Sequence, residues 1–223
     1  MVDFHAHVLP CVDHGSDSLN TSLKQIVMAK KAGVKKIVAT PHYYDNKDSL
    51  SEFLQRREEG YKSLQEALVA SSIDVDIIKA AEVNLQTDLF KNDLKKLCIG
   101  DTNFLLLEMP MNINWNSWHY DAIDEIIALG INPIIAHVNR YSSYYTKRLF
   151  EKDILFQVNI EAFLSFSSRR NVLSLYKNGN AHFIGSDIHG KDKNPYEKMA
   201  KYKSRYTKMF NDFELNSYNV LES

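Results

Sequence analysis

The chain has 223 residues, of which 44% are hydrophobic and 25% charged, and a formal charge of −1. These values exclude disorder, collagen and coiled coil, and the near-neutral balance offers no basic field for nucleic acid. The longest apolar runs, such as Phe104–Leu107, fall far short of the ~20 residues of a membrane span, so no membrane insertion is expected. Met1-Val2-Asp3-Phe4-His5 lacks the sections of a signal peptide. A single domain over 1–223 is expected, cytoplasmic, with Cys11 and Cys98 as reduced thiols.

In chain order, short apolar or β-branched runs stand at Val2–Phe4, Lys36–Thr40, Val75–Ala81, Phe104–Leu107, Ile131–Ala136, Ile154–Ile160 and Ala181–Gly185. Between them the spacing predicts helices over Asp17–Gly33, Ser49–Ser72, Asp88–Leu97, Asp121–Gly130, Tyr144–Lys152, Ser167–Asn178 and Tyr196–Phe210. The runs are too apolar for a sheet with one wet face, so parallel strands covered by helices are expected. Seven such units predict an α/β barrel rather than an open sheet.

The residues just past each run carry the chemistry. They are His5 and His7, then His42, Glu82, Glu108 and His137, and finally Asp187 and His189. Six of the seven runs thus deliver a His, Asp or Glu at the carboxyl end, where α/β barrels build their active sites. Imidazole and carboxylate together are the ligands of Mn, Fe and Zn hydrolase sites. In an extended strand His5 and His7 point the same way, because the side-chain period is two. Asp3 reads either as an orienter of that pair or as an interior acid. His182, inside an apolar run, reads as a core or edge histidine. His119, beside Trp115, Trp118 and Tyr120, reads as part of a surface aromatic cluster or of a substrate mouth.

Other schemes fail on spacing. A Cys-x5-Arg phosphatase loop would need arginine at Asp17 or Phe104, and there is no Gly-x-Ser-x-Gly elbow and no Walker or dinucleotide loop. Metal-assisted hydrolysis remains.

Asp3-Phe4-His5-Ala6-His7, Asp13-His14-Gly15, Ala39-Thr40-Pro41-His42, Ala81-Glu82, Leu107-Glu108, Ile135-Ala136-His137-Val138-Asn139-Arg140-Tyr141 and Ser186-Asp187-Ile188-His189 resemble the PHP (polymerase and histidinol phosphatase) superfamily. Within it they resemble the bacterial manganese-dependent protein-tyrosine phosphatases of capsule and exopolysaccharide loci. The resemblance runs from Val2 to about Tyr196. It implies a distorted (β/α)7, TIM-barrel-like PHP fold holding three divalent transition-metal ions, Mn or else Fe or Zn. His5, His7, Glu82 and Asp187 would hold the first ion. Glu82 would bridge to a second, completed by Glu108 and His137. His42, His189 and His14, the last in place of a family acid, would hold the third. Arg140 matches a catalytic arginine that grips the substrate phosphate. Asn194 replaces a second arginine, whose part Lys193 or Lys191 would take.

The implied reaction is hydrolysis of phosphotyrosine on a protein, a tyrosine autokinase's tail controlling polysaccharide synthesis, by a metal-bound hydroxide. A small-molecule phosphomonoesterase, such as a histidinol phosphatase, and a phosphopeptide-binding module of weakened activity are the alternatives. The basic segment Lys191–Lys208 reads as a solvated helix face or as a dock for acidic phosphopeptides.

Overall fold

The computed structural model describes residues 1–111, 113–190 and 194–223. Its elements, in order, are β1 (Val2–Ala6), α1 (Leu19–Lys31), β2 (Lys36–Ala39), β3 (His42–Tyr43), α2 (Leu50–Ala70), β4 (Asp76–Lys79), β5 (Glu82–Asn84), β6 (Phe104–Glu108), α3 (Ser117–Ala128) and β7 (Asn132–Ile135). They continue with α4 (Ser143–Leu149), β8 (Leu155–Asn159), α5 (Phe166–Lys177), β9 (Phe183–Gly185), α6 (Tyr196–Arg205) and α7 (Thr207–Leu221). No helix among the described residues is long and apolar enough to cross a membrane.

All strand pairings are parallel, in a sheet of order β1-β2-β4 and a sheet of order β3-β5-β6-β7-β8-β9. The sheets meet where the chain leaving β9 runs beside β1. Asp187 N donates to His5 O at 2.7 Å, and His7 N to Ile188 O at 3.2 Å. The result is a parallel α/β half-barrel with every strand's carboxyl end on one side. Inside it pack Val2, Phe4, Val38, Leu106, Ile134 and Phe183, with the Phe4 and Phe183 rings stacked at 4.1 Å.

Two expected strands end early and are each followed by a second short strand, β3 after β2 and β5 after β4. The run expected over Lys36–Thr40 ends at Ala39 because Pro41 has no N–H for the ladder. Pairing resumes with His42 opposite Glu82, and Glu82 N donates to Pro41 O at 3.0 Å. A second irregularity lies in β1, whose register against β2 shifts between Asp3 and Ala6.

Local capping fixes most helix starts. Ser18 accepts from Thr21 N at α1, and Ser49 and Glu52 form a reciprocal capping box at α2. The helix expected over Asp88–Leu97 is two 3-10 turns, Leu89–Lys91 and Leu94–Leu97, separated by extended Asn92. The helix expected to end at Phe210 instead breaks at Tyr206 and restarts as α7. That last helix packs on β9 and β1, where Asn216 Nδ2 donates to His182 O at 3.1 Å and the Met1 amine pairs with Glu214 at 3.2 Å.

Candidate metal centre

The carboxyl end of β1 sets the centre. His5 and His7 are both fully buried, and their Nε2 atoms stand 3.1 Å apart. The far side of each ring is tied down. His5 Nδ1 lies 3.2 Å from Gln157 Oε1, an oxygen that also accepts His137 N at 2.7 Å. The Gln157 amide is oriented by Nε2, which donates to Val158 O and Asn159 Oδ1 at 2.7 Å each. Its oxygen must therefore accept, so His5 carries its proton on Nδ1. His7 Nδ1 donates to Asp13 Oδ2 at 2.7 Å. Both neutral rings thus aim Nε2 lone pairs at one point.

Asp13 is the organiser of this corner. Besides His7 it accepts His42 N at 2.9 Å and Gly15 N at 2.8 Å. Those donors hold its carboxyl far below the usual range against the opposing effect of burial. Gly15 is required here, since a Cβ would fall 2.1 Å from His7 Cβ.

Glu82, 1% exposed, sits beneath the histidines. Its Oε1 is 2.8 Å from His137 Nε2. Its Oε2 is 3.2 Å from His5 Nε2, 3.2 Å from His7 Nε2 and 3.0 Å from His42 Nδ1, yet it makes no hydrogen bond among the described residues. A buried carboxylate oxygen ringed by three nitrogens outside hydrogen-bond geometry is what a shared cation requires. Burial would raise the Glu82 carboxyl, but His5 and His137 outweigh it and hold it well below normal.

Asp187 closes the first group: Oδ1 is 3.5 Å from His5 Nε2 and 3.3 Å from His7 Nε2. Oδ2 accepts Asn159 Nδ2 at 2.8 Å and pairs with Arg140 Nη1 at 2.7 Å. Glu108 Oε1 is 3.7 Å from His137 Nε2, and its Oε2 accepts Asn84 Nδ2 at 2.8 Å. Burial and the neighbouring Glu82 raise the Glu108 carboxyl. His137 and Asp187 both adopt left-handed backbone, with φ of 33° and 50°. That conformation is uncommon outside glycine and tends to collect at functional sites.

Donor atoms within 4.8 Å of one another form three groups among the described residues. They are His5–His7–Glu82–Asp187, His42–Glu82–Glu108 and His7–His42–His189. The all-imidazole and carboxylate donors suit divalent Mn, Fe or Zn. Burial raises the cost of a proton at His42, whose pKa drops to about 3, so it is a ready neutral donor. At His5 and His7 burial opposes protonation too, but nearby carboxylates outweigh it and raise both. A proton and a metal therefore compete for the same facing lone pairs.

Of the residues singled out in the sequence, His5, His7, His42, Glu82, Glu108, Asp187 and His189 fall within these groups, and His137 joins through Glu82. His14 is exposed, outside the groups, its ring stacked on His42 at 4.9 Å and near His189 at 4.8 Å. Arg140 lies beside the centre, paired with Asp187 and, at 2.7 Å, with Glu161. Lys193 and Lys191 lie outside the described residues. His182 accepts Phe156 N at 3.0 Å, a strand-edge role. His119 is buried and caps α3 against Asn116 while lining a surface pocket with Trp118 and Asn84. Asp3 holds the β9 turn, accepting Ser186 N at 2.8 Å and Tyr196 OH at 2.9 Å. Sequence reasoning passed over Gln157, Asn159 and Asp13 as working parts. A polar pair inside the β8 run was the only signal for the first two.

The protein-family model "Capsular polysaccharide synthesis, CpsB/CapC" matches residues 1–217. A tyrosine-protein phosphatase CpsB of Streptococcus agalactiae serotype III is 26% identical over 91% of this chain and 88% of its own. The tyrosine-protein phosphatase YwqE of Bacillus subtilis is 25% identical over 91% of this chain and 83% of its own. Among solved structures, one from a crystal study of YwqE from Bacillus subtilis and CpsB from Streptococcus pneumoniae, described as unique metal-dependent tyrosine phosphatases, superposes with a TM-score of 0.85. It is 20% identical, over 100% of this chain and 94% of that one. The chain belongs to the CpsB/CapC family of capsular polysaccharide synthesis.

Proposed function

We propose that this chain is a metal-dependent protein-tyrosine phosphatase acting in the cytoplasm on the phosphotyrosine tail of a tyrosine kinase that controls polysaccharide synthesis. The observation that carries this reading is the convergence of the His5 and His7 Nε2 lone pairs on Glu82 Oε2 and Asp187 Oδ1. The family membership and the named phosphatase relatives support the reaction class.

Three ions, Mn by preference over Fe or Zn, would be held by His5–His7–Glu82–Asp187, by Glu82–Glu108–His137, and by His42–His189 with His14 stacked above. When bound they supply Lewis-acid polarisation of the phosphoryl group and an acidified water. The chain's own residues do the rest. Glu82, with Oε1 toward His137 and Oε2 toward His5, His7 and His42, would serve two neighbouring ions and supply negative charge between them. Asp13 and Gln157 fix the histidine tautomers and ring directions, the support that ligand positions depend on. Arg140 offers fixed donors to the equatorial phosphoryl oxygens, where transition-state charge collects. Water's oxygen replaces the tyrosyl oxygen on phosphorus, one of water's protons passes to the departing phenolate, and the products are inorganic phosphate and an unmodified tyrosine side chain in the substrate protein.

Counting β2 with β3 and β4 with β5 as one strand each reduces the nine strand segments to seven, which supports reading residues 1–223 as one (β/α)7 PHP domain.

The test is turnover with added Mn of a phosphotyrosine peptide against histidinol phosphate. Faster hydrolysis of the peptide is expected; preference for histidinol phosphate would assign a small-molecule enzyme. Peptide binding without hydrolysis would assign a binding module.

A further inference from the structure

Beside the metal centre lies a cleft of about 350 Å³ that reaches Asp187 and His189. Its only cations among the described residues are Arg140 and Lys198. Arg140 is held between two carboxylates, Glu161 and Asp187, at 2.7 Å each, so much of its charge is already answered. Lys198, half-buried in the first turn of α6, makes no ion pair among the described residues. Ile160, Leu164 and Pro195 form the apolar part of the wall, which Glu161 and Ser186 complete. Leu164 is 52% exposed at its edge.

We infer that Lys198 is a phosphate-binding residue, the second cation of a cleft that takes an aryl phosphate. This rests on the phosphatase reading above. The local fold explains how the lysine comes to be there. Asn194, just ahead of the helix, has no charge to offer and is engaged in starting α6. Its Oδ1 accepts Tyr196 N at 3.0 Å and its Nδ2 donates to Glu197 at 3.2 Å. Pro195, whose ring fixes its φ, stands at the N-cap of the helix. Lys198 is the third residue of α6, and its side chain lines the same cleft as Pro195. An ammonium in the same cleft as Arg140 adds an uncompensated positive charge, so a phosphate dianion bound there would draw on both cations. Its aryl group then lies against Ile160, Leu164 and Pro195, which favours a tyrosyl phosphate over a polar alkyl phosphate.

The test uses the metal-loaded full chain and two readouts, the affinity for inorganic phosphate by titration calorimetry and kcat/KM on an aryl phosphate. Lys198→Ala is expected to weaken phosphate binding roughly tenfold or more with metal content unchanged. Lys198→Arg should restore most of it, and Lys201→Ala, an exposed position on the same helix, should bind as the parent does. If the parent hydrolyses the aryl phosphate and Lys198→Ala matches it in both readouts, the inference falls while the phosphatase reading stands. Equal losses in Lys198→Ala and Lys201→Ala, or a parent that binds no phosphate, would also overturn it. Lys198-dependent phosphate binding in a parent without turnover would keep the inference and remove the phosphatase reading.

Discussion

The Nε2 atoms of His5 and His7 face each other at 3.1 Å while Gln157 and Asp13 occupy their other nitrogens. Two lone pairs at that distance repel, and either a proton or a metal between them relieves the repulsion. Metal binding therefore stabilises the fold. At a hundredfold excess of metal over its Kd the gain is about 2.7 kcal/mol, or a rise in Tm of roughly 5–10 °C for a chain of this size. Calorimetric scans of chelator-stripped and Mn-loaded protein check this, and identical melting curves would contradict it.

Acid should release the metal early. Nearby carboxylates raise His5 and His7 above the ordinary histidine range despite burial. Protons therefore begin to displace the ion at a pH above that range, and apparent affinity falls steadily as pH drops further. Mn titrations at a series of pH values measure it; an affinity flat from pH 8 to pH 6 would be the contrary result.

Asp13 orients two histidines without belonging to any donor group. Loss of such support commonly costs 10–100-fold in metal affinity. Asp13→Asn is expected to fold and to lose affinity by that order, seen as a higher Mn concentration for half-maximal activity.

Glu82→Ala should do more damage than His14→Ala. Glu82 touches four imidazoles at 2.8–3.2 Å and is buried, whereas His14 is exposed and stacked outside the groups. Metal content per chain separates them: Glu82→Ala loses more than one ion, His14→Ala at most one. Equal losses would remove the bridging role.

Arg140→Ala should retain its metal and lose ~10²–10³ in rate, the usual cost of one preorganised donor. Arg140→Lys should recover part, since lysine lacks the two-pronged fork. A variant with the parent rate would reduce Arg140 to its ion pairs with Glu161 and Asp187.

The donor set was legible because each donor follows an apolar run, and the strand-end rule needs no structure to apply. Its supports were not. Gln157 and Asn159 look like ordinary polar residues of β8 until the fold brings His5 and Asp187 against them. Pro41 was the visible reason for the break between β2 and β3, but proline alone does not say that pairing resumes one residue later at His42. Asp3 could not be assigned because its partners, Ser186 N and Tyr196 OH, lie more than 180 residues away and meet it only in the fold. The restart of α7 after Tyr206 follows from packing on β9 and β1, which no local spacing reports.

The most direct measurement is a titration of Mn into metal-stripped protein while hydrolysis of a phosphotyrosine peptide is followed. Turnover should be absent without metal, rise with added Mn and saturate near three ions per chain. Full turnover in the stripped protein, or none at saturating Mn, would contradict a metal-dependent phosphatase.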